Sequence, residues 1–271
     1  MRTIWAALLV GCMAAGGARA ETSEQRGKRV VNEALEALGG ERFRGMQDRV
    51  ESGRAYSFYR EQLSGLSRAT IYTRYLVRPE PPVARFMGLR EREAFGKKQE
   101  DVILFTGDAG YELTFRGARP LPDTRLQQFR DGVLRNIFYI MRERLGEPGL
   151  VLDSRGADFY ENRPVEIVDI TDDDNQTVTV YFDQLTKLPT RQSYVRRDPI
   201  TKDRIEEVTI FAKYRDSGGG VQWPHNIRRE RNGEKIFEIF SDQVKINQGL
   251  KDDLFTLPAN LKLLPKERPG L

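Results

Sequence analysis

The sequence contains one histidine, His225, and one cysteine, Cys12, among its 271 residues. So few imidazoles and thiols exclude cysteine-based zinc and iron sites, Cys-His dyads and any metal site that needs two histidines. A Ser-His-Asp triad would have to use His225, and the chain has no G-x-S-x-G nucleophile turn. We therefore predict a protein that is not an enzyme and has no metal or other cofactor, with His225 as an ordinary strand residue.

The sequence also lacks an excess of charge of one sign. It has 44 Lys and Arg against 40 Asp and Glu, with both signs interspersed. Because no basic block stands alone, the composition predicts no nucleic-acid partner. The hydrophobic content of 39% and charged content of 31% suit one globular domain or at most two.

The N-terminal segment, MRTIWAALLVGCMAAGGARA, is typical of a secretory signal. It combines Arg2, an apolar run from Ile4 to Ala15, and an A-x-A cleavage site at Ala18-Arg19-Ala20. The apolar run is shorter than the roughly 20 residues that a membrane-spanning helix needs. We predict a signal peptide over residues 1–20, a single domain over 21–271, and a periplasmic location.

A second route of export stays open, because Leu9-Val10-Gly11-Cys12 resembles the lipobox of bacterial lipoproteins. Acylation of Cys12 would make it the mature N-terminus and would anchor the protein to a membrane. Cleavage after Ala20 would instead remove Cys12 and leave a domain without disulfides, stabilised by its core alone.

The rest of the chain predicts an early helix followed by a long series of strands. Residues 23–40 begin with Ser23 as a candidate cap and end at Gly39 and Gly40. Five apolar residues recur there at helical spacing, namely Val30, Val31, Ala34, Leu35 and Leu38. Segments rich in aromatic and β-branched residues then alternate with short turns, which predicts sequential hairpins and an antiparallel sheet.

The strands are expected to turn one apolar face inward. In the strand over 177–182, alternation places Val178, Val180 and Phe182 on one side. In the later strand, it places Val208, Ile210 and Ala212 on one side and Glu207, Thr209 and Lys213 on the other. The acidic run over 172–175, DDDN, lacks the spacing of a calcium loop and predicts a solvated hairpin turn.

A second helix is predicted in the centre of the chain, over residues 121–149. Thr124 and Gln127 fit a capping box, and Gly146, Pro148 and Gly149 end the helix. Its apolar stripe consists of Leu126, Phe129, Val133, Ile137, Ile140 and Met141. Two helices on one side of a large curved antiparallel sheet make the predicted fold α+β.

Four stretches together carry a resemblance to a known family. They are ALGG at 37–40, VYFDQLTKLPTRQSY at 180–194, YRDSGGGVQWPHNIRRERNGEKIFEIFSDQVKIN at 214–247, and DDLFTLP at 252–258. This succession resembles the outer-membrane lipoprotein-sorting (LolA/LolB-like) superfamily, most clearly over residues 145–258. The resemblance implies an incomplete β-barrel whose concave apolar face is covered by helices, and a protein that encloses acyl chains. The segment LREREAFGKKQEDVILF, residues 89–105, extends beyond the pattern of the sorting carriers.

These expectations define a candidate lipid-binding cavity between the central helix and the sheet. Its predicted lining is Phe129, Val133, Ile137, Met141, Val178, Val180, Phe182, Val208 and Ile210. Burial of methylene groups at about 0.8 kcal/mol each would drive binding of a lipid or lipoprotein acyl chain, with only peripheral or transient membrane contact. The alternative is a cell-envelope sensor or protein-interaction domain whose cavity is filled by side chains and whose partners are envelope proteins.

Overall fold

The computed structural model describes residues 20–77, 86–198 and 201–266. Cys12 and all of the predicted signal peptide except Ala20 lie outside these described residues. Among the residues described, no helix has the length and apolar composition needed to cross a membrane.

The described chain forms a single antiparallel sheet of 13 strands, numbered here in chain order. The strands are β1 (Asp48–Tyr59), β2 (Gln62–Tyr75), β3 (Leu89–Phe95), β4 (Asp101–Phe105), β5 (Gly110–Thr114), β6 (Gly117–Pro120), β7 (Val151–Tyr160), β8 (Arg163–Thr171), β9 (Thr177–Asp183), β10 (Pro189–Arg197), β11 (Arg204–Asp216), β12 (Gln222–Arg231) and β13 (Glu234–Ile246). Their spatial order is β6-β5-β4-β3-β2-β1-β13-β12-β11-β10-β9-β8-β7. The sheet is not closed, because β6 and β7 form its two edges. This confirms the predicted α+β fold with an incomplete barrel.

Tight turns explain why consecutive strands pair with one another. Arg60-Glu61, Glu161-Asn162 and Asn232-Gly233 each place both central residues at positive φ. This is the type I′ conformation, whose twist matches that of the strands it joins. The chain therefore reverses locally at these hairpins, and the pairing of β1 with β13, which are distant in sequence, joins the two halves of the described sheet.

Helix α1 (Ser23–Leu38) packs tightly on the concave face, which we define as the face covered by the helices. Its N-cap is Thr22 rather than the expected Ser23. The Thr22 side chain accepts a hydrogen bond from the backbone amide of Gln25, and the Gln25 side chain accepts one from the backbone amide of Thr22. Gly27 allows a close approach to the sheet, since a β-carbon there would lie 2.1 Å from the Leu152 carbonyl oxygen. A short helix, α2 (Glu41–Arg44), follows.

The predicted central helix is broken into two parts. Helix α3 (Asp123–Leu134) begins after Pro122 without a side-chain cap, so the expected capping box does not form. Helix α4 (Ile137–Tyr139) continues as a π-helical turn (Ile140–Arg144). The break lies at Asn136, where side chains replace helical hydrogen bonds. The Phe138 amide donates to Asn136 Oδ1 and the Ile137 amide donates to Gln192 Oε1, both at 2.9 Å.

Candidate functional site

A cavity of about 370 Å³ lies between α3 and the concave face of the sheet. One part of its wall is apolar, formed by residues that include Leu89, Phe105, Phe129, Val133, Phe138, Phe211, Trp223, Ile227 and Ile239. Another part carries charged side chains, namely Arg49, Glu51, Glu91, Glu93, Arg125, Arg196, Glu207, Arg229 and Arg231. The concave face is therefore apolar beneath α1 and mixed beneath α3.

Helix α3 covers the cavity loosely. None of its residues is fully buried, whereas α1 buries Gly27, Val30, Val31, Ala34, Leu35 and Leu38. It contacts the sheet through the Phe129 ring, which stacks on Phe105 with ring centres 3.5 Å apart. Arg130 also donates to the carbonyl oxygens of Gly107 and Asp108. A helix that leaves its apolar side partly exposed above an open space is the main geometric feature of this site.

The break at Asn136 separates the residues predicted to line the cavity. Phe129, Val133 and Val208 lie on its wall. The main core instead contains five others, namely Ile137, Met141, Val178, Val180 and Phe182, in one cluster with the buried residues of α1. The π-helical turn places Met141 in this core, as the main chain leaves α3 and descends toward the sheet. A direct contact between any of these residues and a lipid stays a prediction.

Strand β11 turns a different face inward from the one expected. Glu207, Thr209 and Phe211 line the cavity together with Val208, and Ile210 does not. Side chains of adjacent strand residues point to opposite faces, so Glu207, Thr209 and Phe211 share one face, and Val208 and Ile210 share the other. Val208 therefore borders the cavity without sharing the face of the other three. The prediction assumed that the apolar side of the strand faces inward. Beneath α3 the inward side carries charged residues, so apolar alternation does not identify it.

A chain of polar contacts crosses five strands beneath the cavity. We name its six residues the polar belt: Glu91, Thr73, Arg49, Glu51, Ser241 and His225. Thr73 Oγ1 donates to Glu91 Oε2 at 2.9 Å and accepts from Arg49 Nη2 at 3.0 Å. Arg49 also pairs with Glu51, which accepts a hydrogen bond from Ser241 Oγ.

The remaining link of the polar belt joins β13 to β12. The backbone oxygen of Ser241 lies 3.0 Å from His225 Nδ1. Arg49, Thr73, Glu51, Ser241 and His225 are all more than nine-tenths buried. Buried polar groups are costly unless they are hydrogen-bonded, so the belt fixes the relative positions of these strands. His225 lies within β12, and we assign it no chemistry.

Glu91 and Glu93 project from β3 into the cavity and form what we call the acidic pair. Burial raises the pKa of Glu93 to about 7, and repulsion from Glu91 adds to the rise, while Arg229 and Arg125 oppose it. Burial also raises the pKa of Glu91, against the opposing effect of Arg49. The acidic pair therefore takes up a proton near neutral pH, because two buried adjacent carboxyls resist becoming charged together.

These charged residues are not among those predicted from the sequence, although a local signal for the acidic pair exists. The stretch LREREAF forms β3, and its strict alternation places Arg90 and Arg92 on one face and Glu91 and Glu93 on the other. Arg229 and Arg125, which act on Glu93, could not be predicted in this way. No pattern in the sequence near these residues shows that β12 and α3 face β3.

The acidic run over 172–175 forms a hairpin turn, as predicted. The Asp172 carboxylate accepts from the amides of Asp174 and Gln176 and pairs with Arg144 at 3.3 Å. The carboxylates of Asp172, Asp173 and Asp174 come within 4.8 Å of one another. The turn and its ion pair account for this arrangement.

Three solved structures share this fold at low sequence identity. An outer membrane lipoprotein-sorting protein domain from Vibrio parahaemolyticus is 11% identical, with a TM-score of 0.52 over 83% of this chain and 97% of that one. A DUF1329 family protein from Desulfovibrio piger is 12% identical, with a TM-score of 0.57 over 84% and 96%. A LolA superfamily protein from Nitrosomonas europaea is 11% identical, with a TM-score of 0.51 over 85% and 97%.

These similarities confirm the resemblance to the lipoprotein-sorting superfamily at the level of the fold. No family model matches the sequence, and no curated protein matches it.

Proposed function

We propose that this protein binds the acyl chains of a lipid or lipoprotein in the cavity beneath α3. In this proposal it is a non-enzymatic protein of the periplasm that serves outer-membrane lipoprotein sorting or lipid transport. The observation that carries the proposal is the partial burial of α3. None of its residues is fully buried, and its Phe129 and Val133 line an open cavity while they also pack against two small apolar clusters. The shared fold supports it, since two of the structures described above are named for lipoprotein sorting or the LolA superfamily.

The energetics favour an acyl chain over a small polar ligand. Each methylene group buried contributes about 0.8 kcal/mol, so a chain of ordinary length offsets the cost of its own ordering. The cavity volume of about 370 Å³ lies near the lower end of the range of ligand pockets, roughly 300–1,000 Å³. A longer acyl chain fits if α3 moves outward. The backbone would then turn at Pro122 and Asn136, which lie at the two ends of this helix.

Lipid extraction tests the proposal. Protein recovered from the periplasm of a bacterial host is extracted with organic solvent, and the extract is analysed by mass spectrometry. We expect acyl lipid in amounts comparable with the protein, and much less from a Val133→Glu variant purified in the same way. A folded wild-type protein that carries no lipid and binds none when it is added would reject the proposal. That result would favour the alternative, an envelope sensor or protein-interaction domain.

A further inference from the structure

The acidic pair differs from the other carboxylates on the cavity wall. Glu51 pairs with Arg49, and Glu207 pairs with both Arg196 at 2.8 Å and Arg231 at 3.0 Å. Glu91 accepts a hydrogen bond from Thr73. Among the described residues, no cation forms an ion pair with Glu91 or Glu93. The cavity therefore presents two adjacent carboxyls that interact with Arg49, Arg125 and Arg229 through space and form no ion pair at contact distance with a described residue.

Two guanidinium groups on the same wall also lack a carboxylate partner in the described part of the chain. Arg125 lies on α3 and Arg229 on β12, and both act on Glu93 through space. The Arg229 guanidinium lies 5.6 Å from the centre of the Phe237 ring, a contact that leaves its N–H groups available as donors.

A further donor on the wall is buried without an acceptor. Trp223 is more than nine-tenths buried and lines the cavity, and its indole Nε1 has no hydrogen-bond partner among the described residues. Arg49 Nε also makes no hydrogen bond, although it lies 3.8 Å from Glu51 Oε2 in the ion pair described above. Buried donors without partners are costly, but protein atoms enclose both nitrogens, so the head-group assignment rests on the side chains that line the cavity.

These groups together describe the chemistry of one ligand. The acidic pair offers carboxyl oxygens that can accept hydrogen bonds from a cation with N–H donors. The guanidinium groups of Arg125 and Arg229 offer N–H donors that suit an anion. The apolar wall at Phe105 and Phe129 requires hydrocarbon.

We propose that the cavity recognises an amphiphile whose head group carries both a primary ammonium and a phosphate-type anion. The acidic pair binds the ammonium, and Arg125 and Arg229 bind the anion. This inference rests on the proposed function and names the class of lipid that the cavity selects. Carboxylate and guanidinium contacts of this kind are charge-assisted hydrogen bonds, the strongest that side chains make.

Calorimetric titration with soluble short-chain lipids tests the inference. The probes are phosphatidylethanolamine and phosphatidylglycerol with identical acyl chains, together with phosphoethanolamine, which has the head group alone. We expect phosphatidylethanolamine to bind at least about tenfold more tightly than phosphatidylglycerol, the factor expected for one charge-assisted hydrogen bond. Phosphoethanolamine should bind more weakly than either lipid, because it buries no hydrocarbon.

Variants assign this preference to the acidic pair. Glu93→Gln should remove the preference while phosphatidylglycerol binding persists, and Glu91→Gln provides a second test. Arg229→Gln should weaken the binding of both lipids. Glu112→Gln, on β5 and outside this cavity, is the matched control and should retain the preference.

The outcomes separate the inference from the proposed function. Equal binding of the two lipids, or a preference that persists in both Glu93→Gln and Glu91→Gln, would overturn the inference and leave the lipid-binding function standing. Binding of neither lipid would overturn both. Tightest binding by phosphoethanolamine would assign the site to a free head group and would also overturn the inference.

Discussion

The guanidinium of Arg49 lies 4.1 Å from the centre of the Trp223 ring, at the border between two differently built regions. Trp223 packs into the main core beneath α1 and also lines the cavity beneath α3. Arg49 belongs to the polar belt and pairs with the buried carboxylate of Glu51. The contact between Arg49 and Trp223 therefore links the packed half of the sheet to the charged side of the cavity.

The Arg49–Glu51 pair predicts a specific pattern of stability changes. Arg49→Met should lower the free energy of unfolding by about 3–5 kcal/mol, because it leaves the Glu51 carboxylate buried without its cation. The double variant Arg49→Met, Glu51→Gln should recover much of that loss. Chemical denaturation measures both, with Arg54→Met on the exposed face of β1 as the control. A double variant no more stable than the single one would contradict this account of the pair.

The break between α3 and α4 predicts opposite effects of the same substitution at two nearby positions. Val133 is half-buried on the cavity wall, so Val133→Glu should retain the fold and lose lipid binding. Ile137 is fully buried in the main core, so Ile137→Glu should cost several kcal/mol of stability. Thermal unfolding and lipid retention, measured on both variants, distinguish the two positions. Equal loss of stability in both would mean that the space beneath α3 is packed solid.

The raised pKa of Glu93 predicts how stability depends on pH. The pKa is about 7 in the folded protein against an ordinary value of 4.5. The protonated carboxyl therefore contributes stability that is fully present below about pH 4.5 and is lost as the pH rises through 7. Glu93→Gln stays neutral, so it should be more stable than wild type at pH 8, by at most about 3 kcal/mol.

The advantage of Glu93→Gln should disappear near pH 4.5. Thermal melts of wild type, Glu93→Gln and Glu112→Gln at pH 4.5 and pH 8 measure it. An identical advantage at both values would show that Glu93 does not titrate as described.

Processing of the N-terminus gives a prediction that depends on the sequence alone. If Ala18-Arg19-Ala20 is the cleavage site, the exported protein begins at Glu21 and carries no lipid anchor. Intact-mass measurement on protein recovered from the native host tests this. A mass that corresponds to an acylated chain beginning at Cys12 would assign the protein to the membrane-anchored class instead.

The sequence predicts the sheet well because its signals are local. Alternation and tight turns define the hairpins, and Val178, Val180 and Phe182 lie on a buried face as their spacing indicates. The end of α1 follows in the same way from Gly39, which adopts a φ of 123° at its C-cap. Each of these features depends on residues that are neighbours in sequence.

The cavity is less predictable because it depends on contacts between distant segments. The stripe from Phe129 to Met141 is continuous in sequence, yet Gln192 on β10 helps to break the helix at Asn136 by accepting from the Ile137 amide. The prediction that Ile210 faces the cavity was wrong, because charged residues such as Glu207 can line a cavity as well as a surface. Only the assembled sheet shows that Glu93 and Arg229 face the same space.

Quenching of Trp223 fluorescence by a brominated lipid tests the central claim most directly. The sequence has two tryptophans, and Trp5 lies in the predicted signal peptide, so in protein that begins at Glu21 all indole emission comes from Trp223 on the cavity wall. Bromine quenches indole fluorescence only at close range. A lipid brominated on its acyl chain should therefore quench this emission saturably, and Val133→Glu should abolish the effect. Emission that stays unchanged while the lipid is shown to bind would place the acyl chain outside the cavity and contradict the account.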